Sequence, residues 1–97
     1  MIIKDIQHAH NGITRADGRY PQRIGSRVAF LYPPEPGTCM FLSYVEDNQG
    51  NPKDGYLRTS LITGLQEDAH EIIITTMNSR YIFTKESFAE HVSGIFA

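Results

Sequence analysis

Two groups of residues in this chain have the side-chain types and spacing to do chemistry. His8 and His10 form a His-x-His pair in "QHAH", and Arg15, Arg19, Arg23 and Arg27 recur four apart in "RADGRYPQRIGSR". On a strand, residues two apart project to the same side, so both imidazoles would reach one metal ion; on a helix they diverge. A catalytic zinc site takes a third protein ligand. Nothing in the spacing nominates His70, His91, Cys39 or a carboxylate for that place. Surface histidines are the plain expectation, with a metal-binding enzyme using His8 and His10 as an alternative.

A continuous helix would align all four arginines into an anion-binding stripe. Gly18, Pro21 and Gly25 interrupt that helix, and Asp17-Gly18 is a turn signal. If Asp17-Gly18 closes a two-residue hairpin, Arg15 points away and only Arg19, Arg23 and Arg27 stay aligned. With Tyr20 beside them these three would suit phosphate binding or base stacking, the nucleic-acid alternative for function. Solvated charges that discourage strand-to-strand aggregation call for the same residues.

Hydrolytic chemistry finds less support. Ser60, Ser79 or Cys39 could be nucleophiles and His70 or His91 bases, yet there is no nucleophile elbow and no phosphate-cradling glycine loop. Cys39, at the start of an apolar run, is expected to be a buried small hydrophobe. Glu67, Asp68 and Glu71 around His70 look like a solvated turn. Neither catalytic activity nor a cofactor is expected. Tyrosines give a third surface: Tyr20 precedes Pro21, Tyr32 abuts "PPEP", and Tyr44 and Tyr56 flank the long run "DNQGNPKDG". Tyrosines at strand ends anchor protein partners well, because they bury large area with few rotors; equally, they can edge a core with hydroxyls in water.

The elements that must position these residues are mostly strands. "SRVAFLY" alternates, with Val28, Phe30 and Tyr32 on one side; Pro33, Pro34, Pro36 and Gly37 end it, and "CMFLSYVE" follows as its hairpin partner. The nine residues from Asp47 to Gly55 are long for a hairpin loop and are expected to form a mobile tip or contact surface. "YLRTSLIT" sets Leu57 and Leu61 against Tyr56, Arg58, Ser60 and Ile62, closed by Gly64. "HEIIITTM" and "RYIFT" flank a turn at Asn78-Ser79, which would pair Thr76 with Tyr81 and Ile74 with Phe83. Ile72, Ile74, Tyr81 and Phe83 then share the core face. For residues 2–10, Ile2, Ile3, Ile6 and Ala9 fit a helix, whereas Ile2, Lys4 and Ile6 fit one side of a strand, the preferred reading. After Thr84, "KESFAEHVSG" predicts a short helix over 85–94, with Phe88, Val92 and Ile95 as its stripe.

At 97 residues, with 40% hydrophobic and 21% charged residues, the chain suits one globular domain. Residues 1 to 32 hold five basic against two acidic groups and the rest four against nine, for a net −2. An acidic total removes long-range attraction to polyanions without excluding a basic face. No apolar run approaches the roughly 18 residues of a membrane span, and a lone cysteine fits a reducing compartment. A cytoplasmic protein with no membrane partner is expected.

The expected fold is mainly β: a strongly bent antiparallel sheet, as a small Src-homology-like or Tudor-like barrel of five to six strands, with one short C-terminal helix. Residues 1–24 would be an N-terminal strand and loop, 25–84 the barrel and 85–94 the helix, in a single domain 1–97. From about residue 25 to 84, Thr59 and Ser60 in "LRTSLIT", then Thr76, Asn78, Ser79 and Tyr81 in "TTMNSRYIF", resemble a loose group of small bacterial proteins of unknown function. The resemblance implies a bacterial source and no particular activity. The functional expectation is a non-catalytic bacterial accessory protein that binds a protein partner through aromatic strand ends and loops. The expected contact residues are Arg19, Tyr20, Arg23, Arg27, Tyr32, Tyr44 and Tyr56. A homodimer through open sheet edges or a shared terminal helix is a further expectation.

Overall fold

The computed structural model describes residues 1–86. Six strands form one closed antiparallel barrel in sequence order: β1 (Ile2–His8), β2 (Arg27–Phe30), β3 (Cys39–Glu46), β4 (Tyr56–Glu67), β5 (Glu71–Thr76) and β6 (Ser79–Thr84). Between β1 and β2 lies one helical turn, α1 (Tyr20–Arg23). The mainly β, small-barrel expectation therefore holds, whereas the helix expected over 85–94, with Phe88, Val92 and Ile95, falls outside the described residues except for Lys85 and Glu86, which are not helical.

Closure comes from β1, which pairs along its length with β6, from Ile2 opposite Thr84 to His8 opposite Ser79. Its seam with β2 is short, held by Ile3 N–H to Ser26 O at 2.9 Å, Gly25 N–H to Ile3 O at 2.7 Å and Val28 N–H to Met1 O at 2.9 Å. Residues 2–8 are thus a barrel strand rather than a peripheral segment. Among the described residues every strand therefore has a neighbour on both sides.

Bulges decide which residues face inward. In β1 the register shifts between Ile3 and Asp5, so Ile3 and Ile6, three apart, are both fully buried while Lys4 is exposed. The helix-like spacing of these isoleucines is a bulged strand, and the expected Ile2, Lys4, Ile6 face is not the inner one. β4 does the same. Phe41 pairs Arg58 and Cys39 pairs Leu61, two residues against three, so Leu57 and Ile62 are buried whereas Leu61 is exposed. At that bulge the Thr59 hydroxyl accepts the Met40 N–H at 3.1 Å and donates to Ser60 O at 2.8 Å, standing in for the interrupted ladder. Gly64 does not end β4; the strand continues to Glu67 past a second shift.

The β5–β6 turn is Met77-Asn78, not Asn78-Ser79: Ile74 pairs Tyr81, Ile72 pairs Phe83, and Thr75 pairs Arg80. The slip of two preserves parity, so Ile72, Ile74, Tyr81 and Phe83 still share a face. Ile74, Tyr81 and Phe83 are buried, with Ile72 packed against them. Between β2 and β3, Gly37 takes φ +90, as the proline-rich turn requires. Cys39 is half-buried on the side of Phe41 rather than in the core.

The segment Asp47–Gly55 is folded back on itself. The Asp47 carboxylate accepts the Gln49 and Asn51 N–H groups, both at 2.9 Å, and these bonds hold its pKa below the usual range. Gly25 lets this loop dock: at φ +92, a Cβ there would lie 3.0 Å from Asn48 Cβ. No helix among the described residues is long and apolar enough to cross a membrane.

Candidate functional site

Arg19 precedes α1 as its N-cap and Arg23 is its last residue, four apart, and the backbone bond from Arg23 N–H to Arg19 O at 3.3 Å makes the turn that sets them on one side. Asp17-Gly18 does turn the chain, with Tyr20 N–H to Asp17 O at 3.2 Å, but into a helical turn rather than a second hairpin strand. Pro21 permits this because the first turn of a helix needs no N–H from it. Arg27 leaves the group. It opens β2 and is engaged by Glu46 and by Glu86, the latter at 2.5 Å from Nε. The expected trio of Arg19, Arg23 and Arg27 is therefore corrected to a pair.

Lys53 joins that pair. Arg19, Gln22, Arg23, Tyr44, Lys53, Asp54, Gly55 and Tyr56 enclose a cleft of about 260 Å³ between α1 and the folded middle loop. Lys53 Nζ lies 4.1 Å from the Tyr44 ring centroid, and the Arg23 guanidinium lies 5.1 Å from that of Tyr20. Tyr44 has its hydroxyl pKa raised by burial, with the Arg23 charge opposing the rise. Asp54 is the carboxylate that lines the cleft, and the charge of Lys53 also acts on Asp47 in the same loop, but none of the three cations forms an ion pair among the described residues. By contrast, Lys4, Arg15, Arg27 and Lys85 are all paired with carboxylates.

An aromatic row runs out of the cleft along the barrel's outer face. Tyr56 lies nearly parallel to Phe41, with ring centroids 5.8 Å apart and planes at 22°; Phe41 lies nearly parallel to Tyr32, at 6.3 Å and 8°. The Tyr32 hydroxyl donates to Cys39 O at 3.3 Å. Tyr56 is 68% exposed and Tyr32 47%. Arg58 sits directly across the ladder from Phe41 and so projects from the same face.

A larger cleft, of about 470 Å³, is lined by His8, His10, Arg15, Tyr20, Met77 and Asn78. Its cation is already engaged. Arg15 grips Asp17 with two bonds, 2.7 and 3.1 Å, donates to Ser79 Oγ at 2.8 Å, and lies 4.0 Å from the Tyr20 ring centroid. The Arg15 bonds hold the Asp17 carboxyl at about 2. Arg15 is thus a staple between the first loop and the β5–β6 turn. His10 lies beyond the end of β1, with its ring centroid 5.5 Å from that of His8. Among the described residues no three histidines, cysteines or carboxylates gather as metal ligands. Asp68 shapes the β4–β5 turn, accepting the His70 and Glu71 N–H groups at 2.7 and 2.8 Å.

Of the seven contact residues expected from the sequence, Arg19, Arg23, Tyr44 and Tyr56 meet in one cleft, Tyr20 packs behind Arg23, and Tyr32 ends the aromatic row. Phe41, Lys53 and Arg58 complete the surface without being among the expected residues. Strand alternation places Phe41 opposite in parity to Met40 and Leu42, and Arg58 on the side of Tyr56, so both read as outward; that they stand across from each other depends on a strand register that the sequence does not display. No protein-family model, curated protein or solved structure matches this chain.

Proposed function

We propose that this protein is a non-catalytic binding module whose working surface is the cleft of Arg19, Arg23, Tyr44, Lys53 and Tyr56 together with the row Tyr56–Phe41–Tyr32. The observation that carries this is the convergence of three cations, none in an ion pair among the described residues, with exposed aromatic rings, in a chain whose net charge is −2. Leaving such groups unpaired gains the fold nothing, whereas exposed aromatic and guanidinium groups are the residues that dominate binding surfaces. The partner is anionic and extended, because the cleft is basic and the row continues it along the surface.

The test is capture from a bacterial lysate by the wild-type chain and by a Tyr56→Ala, Lys53→Gln double variant, each with and without nuclease. The expected result is material retained by the wild type and lost from the variant. Identical retention by both proteins would overturn the assignment of this surface.

A further inference from the structure

Resting on that binding surface, we infer that its ligand is a single-stranded nucleic acid, with bases stacked on Tyr56 and the aromatic row and phosphates held by Arg19, Arg23, Lys53 and Arg58. Three features of the molecule select this occupant. First, the row consists of nearly parallel rings, 5.8 and 6.3 Å apart, ending at a ring that both lines the cleft and is 68% exposed. Base stacking on aromatic rings is sequence-tolerant, since every base has a π-face, and needs such a ring at the mouth of a basic groove. Second, cations stand at two points along the row: Arg19, Arg23 and Lys53 beside Tyr56, and Arg58 across from Phe41. A strand carrying one phosphate per nucleotide meets charge at intervals, whereas a free nucleotide would use only the cleft.

Third, other polymers fit poorly. A peptide adding itself as a strand needs an open edge, and the described strands form a closed ring. A duplex is read by an element entering a groove, and α1, the one described helix, has four residues. An acidic peptide would match the charge but gives the aromatic row no planar group to stack.

The experiment uses the full chain with fluorescein-labelled oligothymidylate and oligouridylate of about twelve nucleotides, within the site sizes of small single-strand binders. Controls are a duplex of the same length and polyglutamate. The chain has five tyrosines and no tryptophan, so intrinsic fluorescence reports tyrosines alone. The expected result is tight single-strand binding with tyrosine quenching, and a log–log salt slope of roughly −2 to −3 from three or four phosphate contacts. Tyr56→Ala should weaken binding about ten-fold or more. Lys53→Gln should make the slope shallower by about 0.7. Thermal melts confirm folding, and Tyr56→Leu supplies a second variant that keeps apolar area while losing the ring.

Failure of the oligonucleotides to bind at low salt, affinity unchanged in both Tyr56 variants, or equal or tighter binding of duplex or polyglutamate would each overturn the inference. If polyglutamate binds and is lost with Tyr56→Ala, the binding surface stands with a protein partner in place of nucleic acid. If no probe binds and the lysate captures are identical, both fall.

Discussion

The ammonium of Lys53 stands 4.1 Å from the centroid of the Tyr44 ring, so the cation is held by a π-face and not by a carboxylate. Such a contact fixes the charge without neutralising it, which keeps it available to an incoming anion. Lys53→Met is therefore expected to change stability by no more than about 0.5 to 1 kcal/mol, the scale of one exposed contact. Partner capture should fall all the same. Urea denaturation beside the capture assay separates the two effects, and a large stability loss would mark Lys53 as structural.

Gly25 is where the middle loop meets the β1–β2 seam. Its φ of +92 and the 3.0 Å from a built Cβ to Asn48 Cβ predict that Gly25→Ala is destabilising. Left-handed backbone alone costs an L-residue about 1–2 kcal/mol. Asn48→Gly in the same chain should restore only the steric part. A double variant as stable as wild type would show that backbone strain is absent.

Thr76 and Ser79 exchange two bonds across the β5–β6 turn. The buried Thr76 hydroxyl accepts the Ser79 N–H and donates to the Ser79 carbonyl, each at 3.1 Å. Thr76→Val keeps the shape and strands both groups, which costs about 1–3 kcal/mol by the usual penalty for an unpaired buried group. Thr76→Ser should recover most of it. Denaturant midpoints for the pair decide the matter.

Tyr81 predicts an alkaline transition. Burial in the barrel pushes its hydroxyl up to about 12 from 10.0; Tyr20 adds to the rise, while Arg23 and Arg15 oppose it. In the unfolded chain this group loses its proton near pH 10, so from there to about 12 the folded state holds a proton that the unfolded state has released. This contribution is intact below pH 10 and is lost as pH climbs toward 12. Tyr81→Phe should flatten that decline in melting temperature, and absorbance titration should lose its latest-ionising phenol. An equally steep decline in the variant would show that Tyr81 ionises like an exposed tyrosine.

Strand content was legible because alternation and proline-glycine turns survive in the linear text, as in Val28 and Phe30 before Pro33. Facing was legible only where no bulge intervened. Reading the last turn as Asn78-Ser79 displaced the register by two, and Ile74 and Tyr81 still faced inward because an even displacement keeps parity. At Thr59-Ser60 an odd insertion exchanged Leu61 for Ile62, and nothing in composition announces that exchange. The cleft was half legible: Arg19 and Arg23 were found, but through a hairpin that does not form. The fate of Arg27 is not legible, because its partners, Glu46 and Glu86, lie 19 and 59 residues away.

Five seams of the barrel join neighbours in sequence, while the sixth joins β1 to β6 across almost the whole described chain. Chain entropy resists that juncture most, since more polypeptide must be enclosed before the first contact forms. Hairpins can zip early. Loop length alone therefore predicts that Ile3 and Ile6 dock after the local hairpins, with β2 and β6 as the two edges that β1 has still to cover. On that order of events, shortening or deleting the first strand should expose both edges and promote clumping of the chain with its own kind.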